Sequence, residues 1–209
     1  MSVRQVVALV AVGAAGLAAG ALLAPRVAFS EDVSKPAGAP SEEEMKKMMA
    51  ERAALSEEHK KLAALAGTWD AEIDCSGCAA TGGEAPKPSK GTFKTESALG
   101  GRVFLSRFQG EMGGMPFEGI ELRGYDKEKK QHWTIWCDSM GTGFLRFLGE
   151  RAADGSVAMK SDAYDCMGTS AVANTVTKVA DADHMSFEMT STSAGAPDQK
   201  MTIKYTRRK

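Results

Sequence analysis

Four cysteines and three histidines are the residues best able to carry chemistry in this 209-residue chain. Cys75-Ser76-Gly77-Cys78 has the spacing of a metal knuckle or a redox pair, Cys137 precedes Asp138 and Ser139, and Cys166 stands apart. Four thiolates would suit zinc, but Cys137 and Cys166 form no second close pair, so the pattern falls short of two knuckles. A redox CxxC normally uses a helix N-terminus to lower its thiol pKa, and no helical pattern begins at Cys75. An even cysteine count in an exported chain favours disulfides. Cys137 with Cys166 and Cys75 with Cys78 is one of three connectivities, and spacing alone does not choose among them. His59, His132 and His184 lie far apart, with no H-x-H or H-E-x-x-H spacing. Gly113-Gly114 is followed by Met115-Pro116 with no Lys-Ser/Thr pair, so it reads as a hairpin turn and no phosphate cradle. No G-x-S-x-G elbow occurs, and no nucleophile–base pair can be nominated. With no catalytic motif found, the sequence leaves enzyme activity undecided and leans toward a protein without one.

The elements that must position these residues follow from periodicity. The first thirty residues stand apart: Arg4, an apolar run from Val6 to Ala24, then Ala28-Phe29-Ser30 ahead of Glu31-Asp32. This is the pattern of a cleaved signal peptide, residues 1–30, with the mature start near Glu31. The alternative is an uncleaved anchor, since nineteen residues at about 1.5 Å each give roughly 28 Å. Export to the periplasm or exterior is the expectation, and any membrane contact would come only through that uncleaved segment. Residues 31–40 read as a flexible linker. Residues 41–66 read as a helical lead-in, opened by the capping box Ser41-Glu42-Glu43-Glu44 and restarted at Ser56. Met45, Met48, Met49 and Ala53 recur at helical spacing, as the core-facing side of an amphipathic helix would.

After Gly67 the period becomes two. Trp69, Ala71, Ile73 and Cys75 alternate with Asp70, Glu72 and Asp74. Nine more strand-like runs follow at roughly ten-residue intervals, from Lys90–Ala98 to Lys200–Arg207, separated by turn residues such as Gly100-Gly101 and Asp154-Gly155. Residues 67–209 are thus expected to form an all-β domain, an up-and-down antiparallel barrel of about ten strands, whose closure removes exposed edges. The formal net charge of −1, with no clustered basic excess, excludes a nucleic-acid partner.

Leu65-Ala66-Gly67-Thr68-Trp69, Gly119 through Gly124-Tyr125-Asp126, Trp136-Cys137-Asp138-Ser139 and the terminal Tyr205-Thr206-Arg207 together resemble a bacterial family, domain of unknown function 1579. The resemblance runs from about Ser56 to the end. The opening Gly-x-Trp and the closing Arg are also similar to calycin (lipocalin-like) barrels. That likeness implies a structural barrel floor in which Trp69 lies under Arg207. It implies a fold and no catalytic residue.

Strand parity adds a placement. In a meander Trp69 and Arg207 share one end, and all four cysteines fall near the opposite rim. A lumen of ten strands can leave a pocket, with Trp136, Arg123, Tyr125, Arg146, His132 and Asp138 as candidate lining. Arg107, Gln109, Glu121 and Glu150 are further polar residues on these strands. The leading expectation is a barrel binding a small polar or amphipathic molecule. The alternatives are a zinc or thiol-redox protein using the Cys/Asp rim, and an interaction domain whose Met-rich helix serves as an arm. No cofactor is expected, zinc being the one metal the thiols would suit.

Overall fold

The computed structural model describes residues 40–75, 88–112, 114–164 and 169–209. The chain divides into two compact units between Met48 and Met49, a boundary inside the first helix, α1 (Glu42–Ala53). In the first unit, the capping box forms. The Ser41 backbone N–H donates to Glu44 Oε2 at 2.6 Å, and the Glu44 N–H donates to Ser41 Oγ at 3.1 Å. The expectation of a core-facing methionine stripe is overturned: α1 buries no residue, and Met45, Met48 and Met49 are all exposed. Apolar spacing set the stripe, but acidic and basic residues occupy most of the remaining helix surface, and among the described residues none of the three methionines is buried.

In the second unit α2 (Glu57–Ala63) leads into ten strands. They are β1 (Gly67–Asp74), β2 (Ser89–Ala98), β3 (Val103–Met112), β4 (Met115–Asp126) and β5 (Gln131–Asp138). The second half comprises β6 (Leu145–Arg151), β7 (Val157–Tyr164), β8 (Ser170–Val179), β9 (His184–Ser193) and β10 (Gln199–Arg207). Each pairs antiparallel with its sequence neighbours, and β1 pairs with β10, closing an up-and-down barrel. The fold expected from alternation and turn spacing is the fold observed. Met115 and Pro116, read from the sequence as turn residues, already belong to β4 and oppose Met112 and Glu111, while Gly113 lies outside the described residues.

Alternation sets the two faces of the wall. Along β1, Trp69, Ala71 and Ile73 are buried while Asp70, Glu72 and Asp74 are exposed. The main core joins them to Phe93, Phe104, Phe108, Phe117 and Tyr205, with Leu62 and Leu65 of the α2 segment plugging the end. A smaller cluster holds Phe147, Ala163, Ala171 and Ala173 on β6 to β8. Room for the large rings comes from small residues on adjacent strands. A Cβ at Gly119 would run into the Trp136 indole, and one at Gly91 would meet the Phe108 ring.

Candidate functional site

The end of the barrel beside α2, its base, is where most long-range polar contacts converge. Arg207 lies 4.0 Å over the centre of the Trp69 ring, and it donates to the carbonyls of Ala182, Ala66 and Ala64, each at 2.7 Å. The Trp69 indole N–H donates to the Leu65 carbonyl at 2.9 Å. This floor ties the last strand and the helix exit to β1, and the cation–π contact contributes about 0.5–2 kcal/mol. Gly67 is needed here twice over: its φ is +130°, and an added Cβ would strike the Arg207 guanidinium.

A second knot closes the other side. Glu58 on α2 accepts from Arg151 Nε at 2.7 Å, from Lys61 Nζ at 2.8 Å and from His132 Nε2 at 3.0 Å. Burial opposes the Glu58 charge, but the Lys61 and Arg151 cations outweigh it and hold the carboxyl at about 2. Burial and the Arg151 charge push the His132 pKa down, against the pull of Glu58, so the imidazole is neutral. Its Nε2–H then serves as the donor to Glu58. The neighbouring His59 is structural: its Nδ1 accepts the Ser56 N–H at 3.1 Å, capping α2, and its ring meets Tyr125 edge-on at 5.7 Å.

Inside the wall, Arg123 and Glu121 form a fork. Arg123 Nε and Nη2 donate to the two Glu121 oxygens, both at 2.6 Å. Ser106 Oγ adds a bond to Glu121 at 3.2 Å and shares one with Thr95 Oγ1 at 2.9 Å. Burial works against the Arg123 charge, but Glu121 keeps it firmly protonated. Burial and the Glu121 charge together raise the pKa of the Tyr205 phenol, which stays neutral.

Between these groups lies a cavity of about 340 Å³. α2 and its exit cover it with Lys61, Leu62 and Leu65, while Arg123, His132, Thr134 and Arg151 supply its polar edge. Val157, Met159 and Thr177 supply much of its apolar wall. A wider groove of about 1040 Å³ runs over the outer face of β1 to β3, past Asp70, Lys90 and Gln109. Its walls mix solvent-facing polar side chains with Pro88 and three glycines, and it borders residues outside the described set, so the lumenal cavity is the better-built site.

Of the sequence candidates, Arg123 and His132 line the cavity. Tyr125 packs beside it, its ring 4.9 Å from that of His132. Trp136 lies further up the lumen, stacked on Phe117 at 6.3 Å, with its N–H donated to Asp138 at 2.7 Å. Arg146 is a correction: β6 turns Leu145 and Phe147 inward, which leaves Arg146 exposed on the outer wall. Arg107, Gln109 and Glu150 face solvent for the same reason, whereas Glu121 faces in. Glu58, Thr134 and Arg151 were not nominated from sequence. Glu58 and Arg151 are 93 residues apart, and nothing local marks them as partners.

At the opposite rim, Cys75 packs against the main core and Cys137 is exposed on the outer face of β5. Cys78 and Cys166 lie outside the described residues. Among the described residues no group of three or more His, Cys, Asp or Glu is placed to hold a metal ion. Among them, too, no helix is long and apolar enough to cross a membrane, and the apolar run from Val6 to Ala24 lies outside that set.

Compared with models of protein families, residues 54–207 match the one described as protein of unknown function (DUF1579). No curated protein matches the chain.

Proposed function

Because this chain belongs to the DUF1579 family, whose description names no activity, we propose from the geometry alone that it is a binding protein holding a small, partly polar molecule in the basal cavity of its barrel. One observation carries the reading: a space of about 340 Å³ is retained inside the wall, apolar on the β7–β8 side and edged by Arg123, His132, Thr134 and Arg151. Ligand pockets combine a mainly apolar lining with a few placed polar groups, and their volumes start at about 300 Å³. The volume favours a compact molecule over a long acyl chain. Retaining such a space costs packing energy, since interiors are otherwise close-packed, and a bound molecule would restore those contacts.

Native mass spectrometry and thermal shift test the reading together. The expected results are an adduct lost on denaturation, or a rise in melting temperature with some members of a library of compact amphipathic compounds. Thr177→Trp, which places an indole in the cavity, should abolish either response. A wild-type protein with no adduct and no responding compound would sink the proposal.

The same spectra address export. We place the mature start at Glu31, with a disulfide pairing of the four cysteines, because an apolar run precedes small residues at Ala28 and Ser30. A denatured mass beginning at Glu31 and short by four hydrogens is the expected result. A full-length mass with free thiols would refute both parts.

A further inference from the structure

We infer that the basal cavity takes an organic monocarboxylate with an apolar body, its carboxylate seated on the open edge of the Arg123 guanidinium. This rests on the cavity being a ligand site and names the chemistry of its ligand.

The guanidinium carries two forks. Glu121 occupies the lateral one, through Nε and Nη2 at 2.6 Å each. The terminal fork, Nη1 with the second proton of Nη2, makes no bond to any described residue. Yet among the described residues no buried side-chain nitrogen or oxygen lacks a partner. Nη1 therefore touches open space, and Arg123 is one of the residues that line the cavity. A side chain largely shielded by the wall, 14 % exposed, thus presents unspent charged donors to it. A planar two-donor edge matches the two oxygens of a carboxylate, forming a second fork on the same cation.

The charges around the cavity agree. Lys61, Arg123 and Arg151 face two carboxylates, Glu58 and Glu121, and His132 is neutral. One positive charge is left in excess, and Lys61, 53 % exposed, carries it at the open edge of the cavity, where solvent screens it in part. A monoanion balances it, a neutral molecule leaves it, and a dianion such as a phosphate monoester overshoots it. Val157 and Met159 offer the body of the acid an apolar surface opposite that edge.

The probes are acid–amide pairs of matched shape, benzoate with benzamide and hexanoate with hexanamide, titrated calorimetrically against the full chain at neutral pH. Each acid should bind at least tenfold tighter than its amide. Glu121→Gln removes the competing carboxylate charge, leaving one amide oxygen as acceptor, and should tighten the acids several-fold. Arg123→Met combined with Glu121→Gln removes both charges together, strands neither, and should reduce the preference to less than about twofold. If the double variant does not fold, Arg123→Lys with Glu121 kept decides between seats, because it retains the charge and loses the planar fork: a seat on Arg123 predicts a several-fold loss of acid preference, and a seat on Arg151 predicts none. Equal binding of acid and amide, or tighter amide, overturns the inference while leaving the cavity a ligand site. Acid preference unchanged by Glu121→Gln overturns the Arg123 seat. Failure of every acid at millimolar concentration overturns it as well. A neutral or cationic hit in the thermal-shift library would then keep the cavity as a ligand site, and no hit at all would remove that too.

Discussion

The two sides of the lumen are built on different principles. From β10 through β1 to β4 the inward residues include Trp69, Phe93, Phe104, Phe108, Phe117 and Tyr205, all buried and packed as one cluster. On β7 and β8 the inward positions hold Met159, Ser161, Ala163, Ala171, Ala173 and Thr175. Strand pairing is continuous around the ring, so the wall itself is uniform. The difference lies in side-chain volume. Aromatic residues bury about 150–250 Å² each, and one side of the barrel is filled to a core by them. The other side falls short, and the cavity sits there, partly covered by α2, which the Glu58 knot holds in place. One half of the barrel supplies stability and the other supplies room.

Removing the principal filler tests that division most strongly. Trp69 is 1 % exposed, and Trp69→Ala should cost about 3–5 kcal/mol in denaturant unfolding; a cost below about 1 kcal/mol would mean that side is not the core. The next effect belongs to the knot. Glu58 is depressed from 4.5 to about 2 in the folded chain, so its stabilisation is complete above about pH 4.5 and disappears as pH falls toward 2. His132 is depressed from 6.5, so it too contributes above that value and loses its contribution as pH falls through 6.5 toward its folded pKa. Both signs make acid destabilising. Glu58→Gln should remove about 2–3 kcal/mol at neutral pH and flatten the dependence of the urea midpoint between pH 4.5 and 2. An unchanged slope in that window would separate the knot from acid sensitivity.

The finest discrimination comes from adding the same volume on each side. Ala71, 1 % exposed and opposite Tyr205 and Gly91, has no space beside it. Ala71→Leu should cost about 1–3 kcal/mol through overpacking. Thr177 borders the cavity, and Thr177→Leu should stay within about 0.5 kcal/mol of wild type. Equal costs at the two positions would show the lumen evenly packed and break the comparison.

Much of the wall was legible because strand alternation is a local property. Trp69, Ala71 and Ile73 declare their face within one strand, and turn residues every ten or so positions declare the connections. Where both parities are apolar the face is ambiguous. Leu145-Arg146-Phe147-Leu148 puts apolar residues on both sides, and Arg146 was read inward although it faces out. Arg123 and His132 were legible as polar residues at inward parity, yet what each does depends on Glu121 and Glu58. His132 and Glu58 lie 74 residues apart and meet only after the ring has closed. The methionines of α1 failed for the opposite reason: helical spacing records which residues share a face and leaves open whether anything covers it.

By itself, then, the chain determined its strands, their order around the ring and the base where Trp69 and Arg207 meet, because pleat alternation and short connections leave a meander few ways to close. Tertiary structure alone decided which half of the lumen is filled, which guanidinium edge stays open and what holds α2 in place. Those depend on the summed volumes and charges of side chains from strands distant in sequence, and no local pattern carries that sum.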